Sequence, residues 1–354
     1  MVEMNRREFL MASVAASATL MAGTILKVGP SVAYASVKIP EVEKLTITVI
    51  TDNYYDCLRW SDRIAKRSTV IIPGLALHAE HGVIYYIETV LNGKTNTFMF
   101  DFGWDFQGVS RNLELLDIDL SKLDALGVSH GHLDHFGNLI MLLKSHKAKI
   151  KKGIPLYIGG ETFSRRYVKL PPVYEGPTAG LSDLGQLNRD DLEGTKMVET
   201  IEVKEPTPIV PGAYLTGNIE RVTDYEKGSP ILLIDRGGKL ENDLFPGEQS
   251  VVFNVKGKGL VVLSSCAHAG IVNTVKHAQK MTGIEKVHAV MGGFHLIGAP
   301  AEKIRRTVAD IKAIGPDYIV PMHCSGWEAI TLFEREMPKQ FVLNMAGTRY
   351  EITA

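Results

Sequence analysis

Apolar and polar positions alternate from Leu45 to Thr51, and Asp52-Asn53 ends the run, so a strand is expected there. Val83 to Leu91 and Thr97 to Phe100 have the same character. The turn Asn92-Gly93-Lys94 between them predicts a hairpin. Leu123 to Val128 is a short apolar run of the length of a buried strand. From Leu260 onward the pattern changes to strand Leu260 to Leu263, helix Ile271 to Met281, strand Val287 to Met291, helix Ala301 to Ile314 and strand Tyr318 to Val320, which is α/β spacing. In the helix from Ala301, the residues Ile304, Val308 and Ile311 fall at i, i+4 and i+7 with Arg305, Arg306 and Lys312 on the other side. One face is therefore for packing.

Between Lys151 and Gly247 the periodicity weakens and Pro and Gly accumulate, as in Leu170-Pro171-Pro172 and Glu175-Gly176-Pro177. A long irregular stretch inside a compact domain is usually functional, so residues 151–247 are expected to form a substrate-facing insertion rather than a separate domain. The N-terminus differs again. Asn5-Arg6-Arg7-Glu8-Phe9-Leu10 precedes a small, apolar stretch without acidic residues, and Ala33-Tyr34-Ala35 supplies a small-x-small cleavage pattern. Arg-Arg-x-Phe-Leu resembles a twin-arginine signal, an address for export of folded chains. Residues 1–35 are thus expected to be a signal peptide read by the twin-arginine machinery, the mature chain 36–354 to be periplasmic or otherwise exported, and no stable membrane span to remain after cleavage.

Composition narrows the partners. The chain has 354 residues, 45% hydrophobic and 22% charged, with net charge -1, which suits an ordinary globular core and gives no electrostatic case for nucleic acid. Three cysteines, Cys57, Cys266 and Cys324, allow at most one disulfide, and none is expected.

Chemistry concentrates at strand ends. Residues 130 to 135 read His-Gly-His-Leu-Asp-His directly after the Leu123 to Val128 run. Three imidazoles and a carboxylate in six positions are donors that borderline divalent metals accept, zinc above all, with iron or manganese as alternatives. Two alternating histidines can chelate one ion while the Asp-His pair faces a second. Cys266 and His268, His295 and His323 likewise follow expected strands, and in open α/β sheets ligands gather beyond the carboxyl ends of strands. His78, His146, His277 and His288 have no partner pattern and read as surface or satisfied core residues.

The same residues carry a resemblance. His130-x-His132-x-Asp134-His135, together with Glu80-His81-Gly82, Phe100-Asp101-Phe102-Gly103, Cys266-Ala267-His268-Ala269-Gly270, Gly292-Gly293-Phe294-His295-Leu296 and Pro321-Met322-His323-Cys324, resembles the metallo-β-lactamase superfamily. The subgroup is the one named for an archaeal dihydropterin ribofuranosyl-aminobenzene phosphate synthase. The resemblance runs from about Lys44 to Tyr350 and implies a four-layer αββα sandwich with one or two divalent ions. It implies that His130, His132 and His268 hold one ion and Asp134, His135 and His323 the other, with Asp134 also catalytic. Asp101 would orient the ligand loop, while Cys266, His295 and His81 would be further ligands or pocket residues. The expected activity is hydrolysis of a small ester, lactone, phosphoester or related bond by hydroxide generated when a metal lowers the pKa of water from about 15.7 toward 7. A transferase like the synthase, joining a dihydropterin to a phosphorylated ribosyl-aminobenzene, and a non-catalytic metal-binding envelope protein are the alternatives.

Overall fold

The structure is a computed structural model that describes residues 36–170 and 180–354; the expected signal peptide lies outside the described residues. Two large sheets face each other. One has eight strands, ordered Val198–Val203, Ile154–Gly159, Ala125–Gly127, Lys94–Phe100, Ile84–Leu91, Lys44–Thr51, Arg349–Thr353 and Ala65–Lys66. The other runs Thr207–Val210, Ala213–Leu215, Ser250–Val255, Gly259–Ser264, Val287–Gly293 and Tyr318–Met322, with Glu41–Val42 paired beside Ser250–Val255.

Both faces of each sheet are covered, which explains why so many strands read as near-continuous apolar runs. Tyr85 and Ile87 join Leu45, Phe98 and Phe253 in the core between the sheets, whereas Ile84, Tyr86 and Met99 pack outward. The outward residues of the eight-stranded sheet meet Val109 and Leu113 of helix Phe106–Leu115 and Leu139, Leu142 and Leu143 of helix Leu139–Ser145. Those of the other sheet meet helices Ile271–Thr282, Ala301–Ile314 and Trp327–Glu336. The result is the expected αββα order. The hairpin turn also forms as read: Asn92 and Gly93 have φ of 52° and 72° between paired Leu91 and Lys94, as a two-residue turn with both central residues left-handed requires.

The stretch 151–247 is not one continuous insertion. Ile154–Gly159 and Val198–Val203 pair in parallel inside the eight-stranded sheet, and Thr207–Val210 and Ala213–Leu215 extend the other. Their apolar residues, among them Ile154, Leu156, Val203 and Leu215, enter the two cores, but each strand is too short to impose a visible period. What remains outside the sandwich is a third sheet, Lys239–Asn242, Leu232–Arg236, Arg166–Lys169 and Leu181–Gly185. Among the described residues no helix is long and apolar enough to cross a membrane.

Candidate metal centre

Parallel strands point their carboxyl ends the same way, and both sheets have a parallel section. Lys94–Phe100, Ala125–Gly127 and Ile154–Gly159 form one; Gly259–Ser264, Val287–Gly293 and Tyr318–Met322 form the other. Asp101 and the 130–135 loop leave the first set, and Cys266, His268, His295 and His323 leave the second. All six expected ligands are thereby brought together. The donor atoms of His130, His132 and His268 lie within 4.8 Å of one another, and so do those of His81, Asp134 and His323. Cys266 falls within the same distance of His130 and His135, and separately of His268 and His295.

The loop is held from behind. Asp101, fully buried, accepts the Ser129 amide at 2.7 Å, the Ser129 hydroxyl at 2.8 Å and, through Oδ2, the Nδ1 of His135 at 2.7 Å. The same hydroxyl lies 2.9 Å from His130 Nδ1. Both Nε2 atoms are thereby turned toward the donor cluster, the arrangement that orients metal-binding imidazoles. Gly131 separates His130 and His132 because a Cβ there would lie 2.2 Å from Arg166 Nη1 and 2.4 Å from the Thr162 carbonyl.

These residues fit a divalent metal. His130 and His268 oppose their Nε2 atoms at 3.1 Å, close to the roughly 3.3 Å that two nitrogens about 2.05 Å from one tetrahedral zinc would have. The Nε2 atoms of His132 and His135 are buried without a hydrogen-bond partner, an arrangement that costs free energy unless something satisfies them. Burial first, then neighbouring imidazoles, pushes His130 and His268 well below the usual histidine range, and burial does the same for His132. All three are therefore neutral, the form that binds metal.

Asp134 lies differently. Its Oδ2 is 3.2 Å from His323 Nε2, 3.5 Å from His135 Nε2 and 3.7 Å from His81 Nε2. Burial alone would raise its carboxyl, but the charges of His135, His323 and His132 hold it well below the carboxylate range. Burial alone would likewise lower His323, yet Cys324, Asp134 and Asp52 together bring it up to about 9. His81 stacks on the His323 ring at 4.9 Å and is half exposed. His295 is half buried beside His268, with ring centroids 4.2 Å apart and Nδ1 3.5 Å from Cys266 Sγ. Asp101, Ala267, His295 and His323 have φ of 62°, 46°, 46° and 50°, left-handed values that non-glycine residues adopt uncommonly and that gather here around the donors.

Several supporting residues lack any sequence signal. Glu248 accepts the amides of His268 at 2.8 Å and Ala269 at 2.7 Å; burial pushes its carboxyl up to about 7 despite these bonds. Phe245 stacks on His268 at 3.8 Å and 8°. Arg166, on the third sheet, pairs with buried Asp243 at 2.7 Å and donates to the Gly131 carbonyl at 3.3 Å. Asp52 accepts the His323 amide at 2.9 Å. The histidines without a pattern fall as read: His277 is buried against the Thr216 carbonyl, His288 pairs with Asp317, and His146 contacts the Leu142 carbonyl.

An αββα sandwich with imidazole and carboxylate donors gathered at one edge of its two sheets defines the class, and the chain belongs to the metallo-beta-lactamase superfamily. The family model for that superfamily matches residues 79–209. The chain is 32% identical over 274 residues to the 7,8-dihydropterin-6-methyl-4-(beta-D-ribofuranosyl)-aminobenzene-5'-phosphate synthase of Methanocaldococcus jannaschii, covering 76% of this chain and 89% of the synthase. It is 26% identical to an uncharacterized protein of the same organism, over 72% of this chain and 87% of that protein. Among solved structures, a metal-dependent hydrolase of the beta-lactamase superfamily superposes with TM-score 0.66 at 23% identity, over 88% of this chain and all of that one.

Proposed function

We propose that the protein is an exported, metal-dependent hydrolase of a small ester, lactone, phosphoester or related bond. The observation that carries this reading is the pairing of a buried, neutral trio, His130, His132 and His268, with an adjoining acidic group, Asp134, His135 and His323, at the same edge. The first set would hold one divalent ion and the second another, zinc or alternatively iron or manganese. When bound, the ions would supply Lewis-acid polarisation and bring the pKa of water toward about 7.

The chain's own groups do the rest. Asp134, ionised among imidazoles, is placed to help hold the second ion and to orient a nucleophile by accepting a hydrogen bond from it. His81, half exposed over His323, is placed to contact a substrate entering from solvent. Beside His323 lies a cavity of about 280 Å³ walled by Tyr54, Ile297, Trp327, Ile330 and Leu343, a size and lining suited to the apolar part of a small organic substrate. Export rests on Arg6-Arg7 and Ala33-Tyr34-Ala35. The 32% identity to a synthase supports a second reading, transfer of a dihydropterin group, against which export from the cell argues.

Purified, metal-analysed protein screened against ester, lactone, phosphodiester and sulfate chromogens tests the proposal. Turnover that disappears on chelation and returns with metal supports it. Absence of hydrolysis by fully loaded protein, with formation of a dihydropterin conjugate instead, would replace it by the second reading.

A further inference from the structure

We propose that Cys266 and Cys324 form a modification site, a dithiol that a hydroperoxide closes to a disulfide, and that closure weakens the hold of the adjoining donors on metal. The second half of this inference rests on the metal reading above; the first half stands without it.

Both thiols are free and buried, and their sulfurs are 3.1 Å apart. A disulfide needs about 2.05 Å, so the sulfurs stand roughly 1 Å from bonding distance. The approach is built into the sheet. Cys266 follows Gly259–Ser264 and Cys324 follows Tyr318–Met322, while Val287–Gly293 runs between those strands. A Cβ at Gly293 would stand 2.8 Å from Cys324 Sγ and 2.3 Å from the Ser265 carbonyl. The two turns thus close over a position without a side chain, and the sulfurs meet above it.

The pair also belongs to the donor cluster. Cys266 shares a 4.8 Å donor set with His130 and His135, and another with His323 and Cys324. As thiols, the two add soft donors beside the imidazoles; as a disulfide, neither sulfur can serve as a thiolate ligand. Closure would also tie the turn carrying His268 to the one carrying His323.

The chemistry balances with the hydroperoxide as the oxidant. One thiol attacks a peroxide oxygen, breaking the O–O bond and giving a sulfenic acid with release of water or an alcohol. The other thiol then attacks the sulfenic sulfur, the S–S bond forms and water leaves with the remaining proton. The two electrons lost by the sulfurs reduce the peroxide.

The test treats metal-loaded protein with hydrogen peroxide, maps peptides without reduction, and measures metal retained after a chelator challenge. A linked Cys266–Cys324 peptide pair is expected, with Cys57 still alkylatable, reversal by dithiothreitol, and lower metal retention in the oxidised form. Cys324→Ser, checked for fold by circular dichroism, should lose both the link and the peroxide sensitivity of retention, and Cys266→Ser should behave alike. Two thiols that stay alkylatable, or oxidation that stops at isolated sulfinic acids, overturn the dithiol site. A linked pair with unchanged metal retention overturns its coupling to the metal centre.

Discussion

The two donor groups share one edge of the fold and differ in almost everything else. His130, His132 and His268 are buried imidazoles kept neutral by burial, and Phe245 covers them with edge contacts to His130 and His132 and a stacked face on His268. His323 is also buried and Asp134 partly so, but they carry opposite charges in the metal-free protein and stand beneath half-exposed His81. An enclosed neutral set favours retention of an ion, whereas an open charged set exchanges protons and meets substrate. On the proposed reading, holding falls to the first group and chemistry to the second.

The largest effect that can break this division comes from Asp134→Asn. The substitution keeps size and removes the charge that would bind the second ion and orient the nucleophile, so kcat should fall on the order of 10²–10⁴-fold. Metal in the buried trio should remain, as elemental analysis would show, and circular dichroism should be unchanged. Full turnover in this variant would move the chemistry away from Asp134.

Next in size is the brace behind the buried trio. Arg166→Met leaves Asp243 as a buried carboxylate without its cation, a loss that costs about 3–5 kcal/mol. Asp243 also accepts the Phe245 amide at 2.7 Å, and Arg166 donates to Gly131, so the damage should reach the trio. Denaturant unfolding should show the destabilisation, and the buried ion should dissociate more readily than in the wild type. Unchanged stability would mean that the third sheet does not brace the ligand loop.

The brace also marks where reading from sequence ended. The His130 to His135 run was legible because six adjacent positions carry donors for which core packing has no use. His268, His295 and His323 were legible because each follows an apolar strand, and strand ends of parallel sheets converge. Arg166, Asp243, Phe245 and Glu248 act through pairings that span 35 residues from Arg166 to Gly131 and 20 from Glu248 to His268, and no local period records such contacts. The individual strands and helices were legible from their apolar faces, and the four-layer order from the family resemblance. The third sheet was not, since its strands are four or five residues long and mostly half exposed. A Cβ on Gly292 would fall 1.7 Å from the Ser264 carbonyl, so close strand packing depends on that glycine, a contact no local pattern records.

A smaller effect separates the two groups by pH. His323 titrates near 9 in the metal-free protein, because Cys324, Asp134 and Asp52 outweigh the lowering by burial. Its folded pKa is raised, so below about 9 a proton must leave before a metal can bind there. His135 is also raised, because Asp134 and Asp101 outweigh burial, so affinity at the Asp134–His135–His323 group should rise by at least about tenfold per pH unit below 9 and level off above it. The buried trio is neutral throughout the physiological range and should show no such slope. Competition with a chromophoric chelator at pH 6, 7 and 8 would measure both, and parallel slopes would erase the distinction.

The smallest effect belongs to His81, and it decides how far the open group extends. Its ring stacks on His323 at 4.9 Å and its Nε2 lies 3.7 Å from Asp134 Oδ2, so it shares a 4.8 Å donor set with both. Unlike the other histidines of the cluster, it projects into solvent with 51% of its side chain exposed, and water can replace an exposed ligand at little cost. Burial and the charge of His323 also lower its pKa, which leaves it uncharged at neutral pH and unable to act as a fixed cation for an anionic substrate. His81→Ala should therefore leave the buried ion in place, weaken the second ion modestly, and reduce kcat/KM by about tenfold or less, roughly 1.4 kcal/mol of transition-state stabilisation. Steady-state kinetics with metal in excess separates the possibilities. A rise in KM alone assigns His81 to substrate contact, and a deficit that vanishes at high metal assigns it to the second ion. A loss as large as that of Asp134→Asn would show that the half-exposed rim, rather than the carboxylate beneath it, carries the reaction.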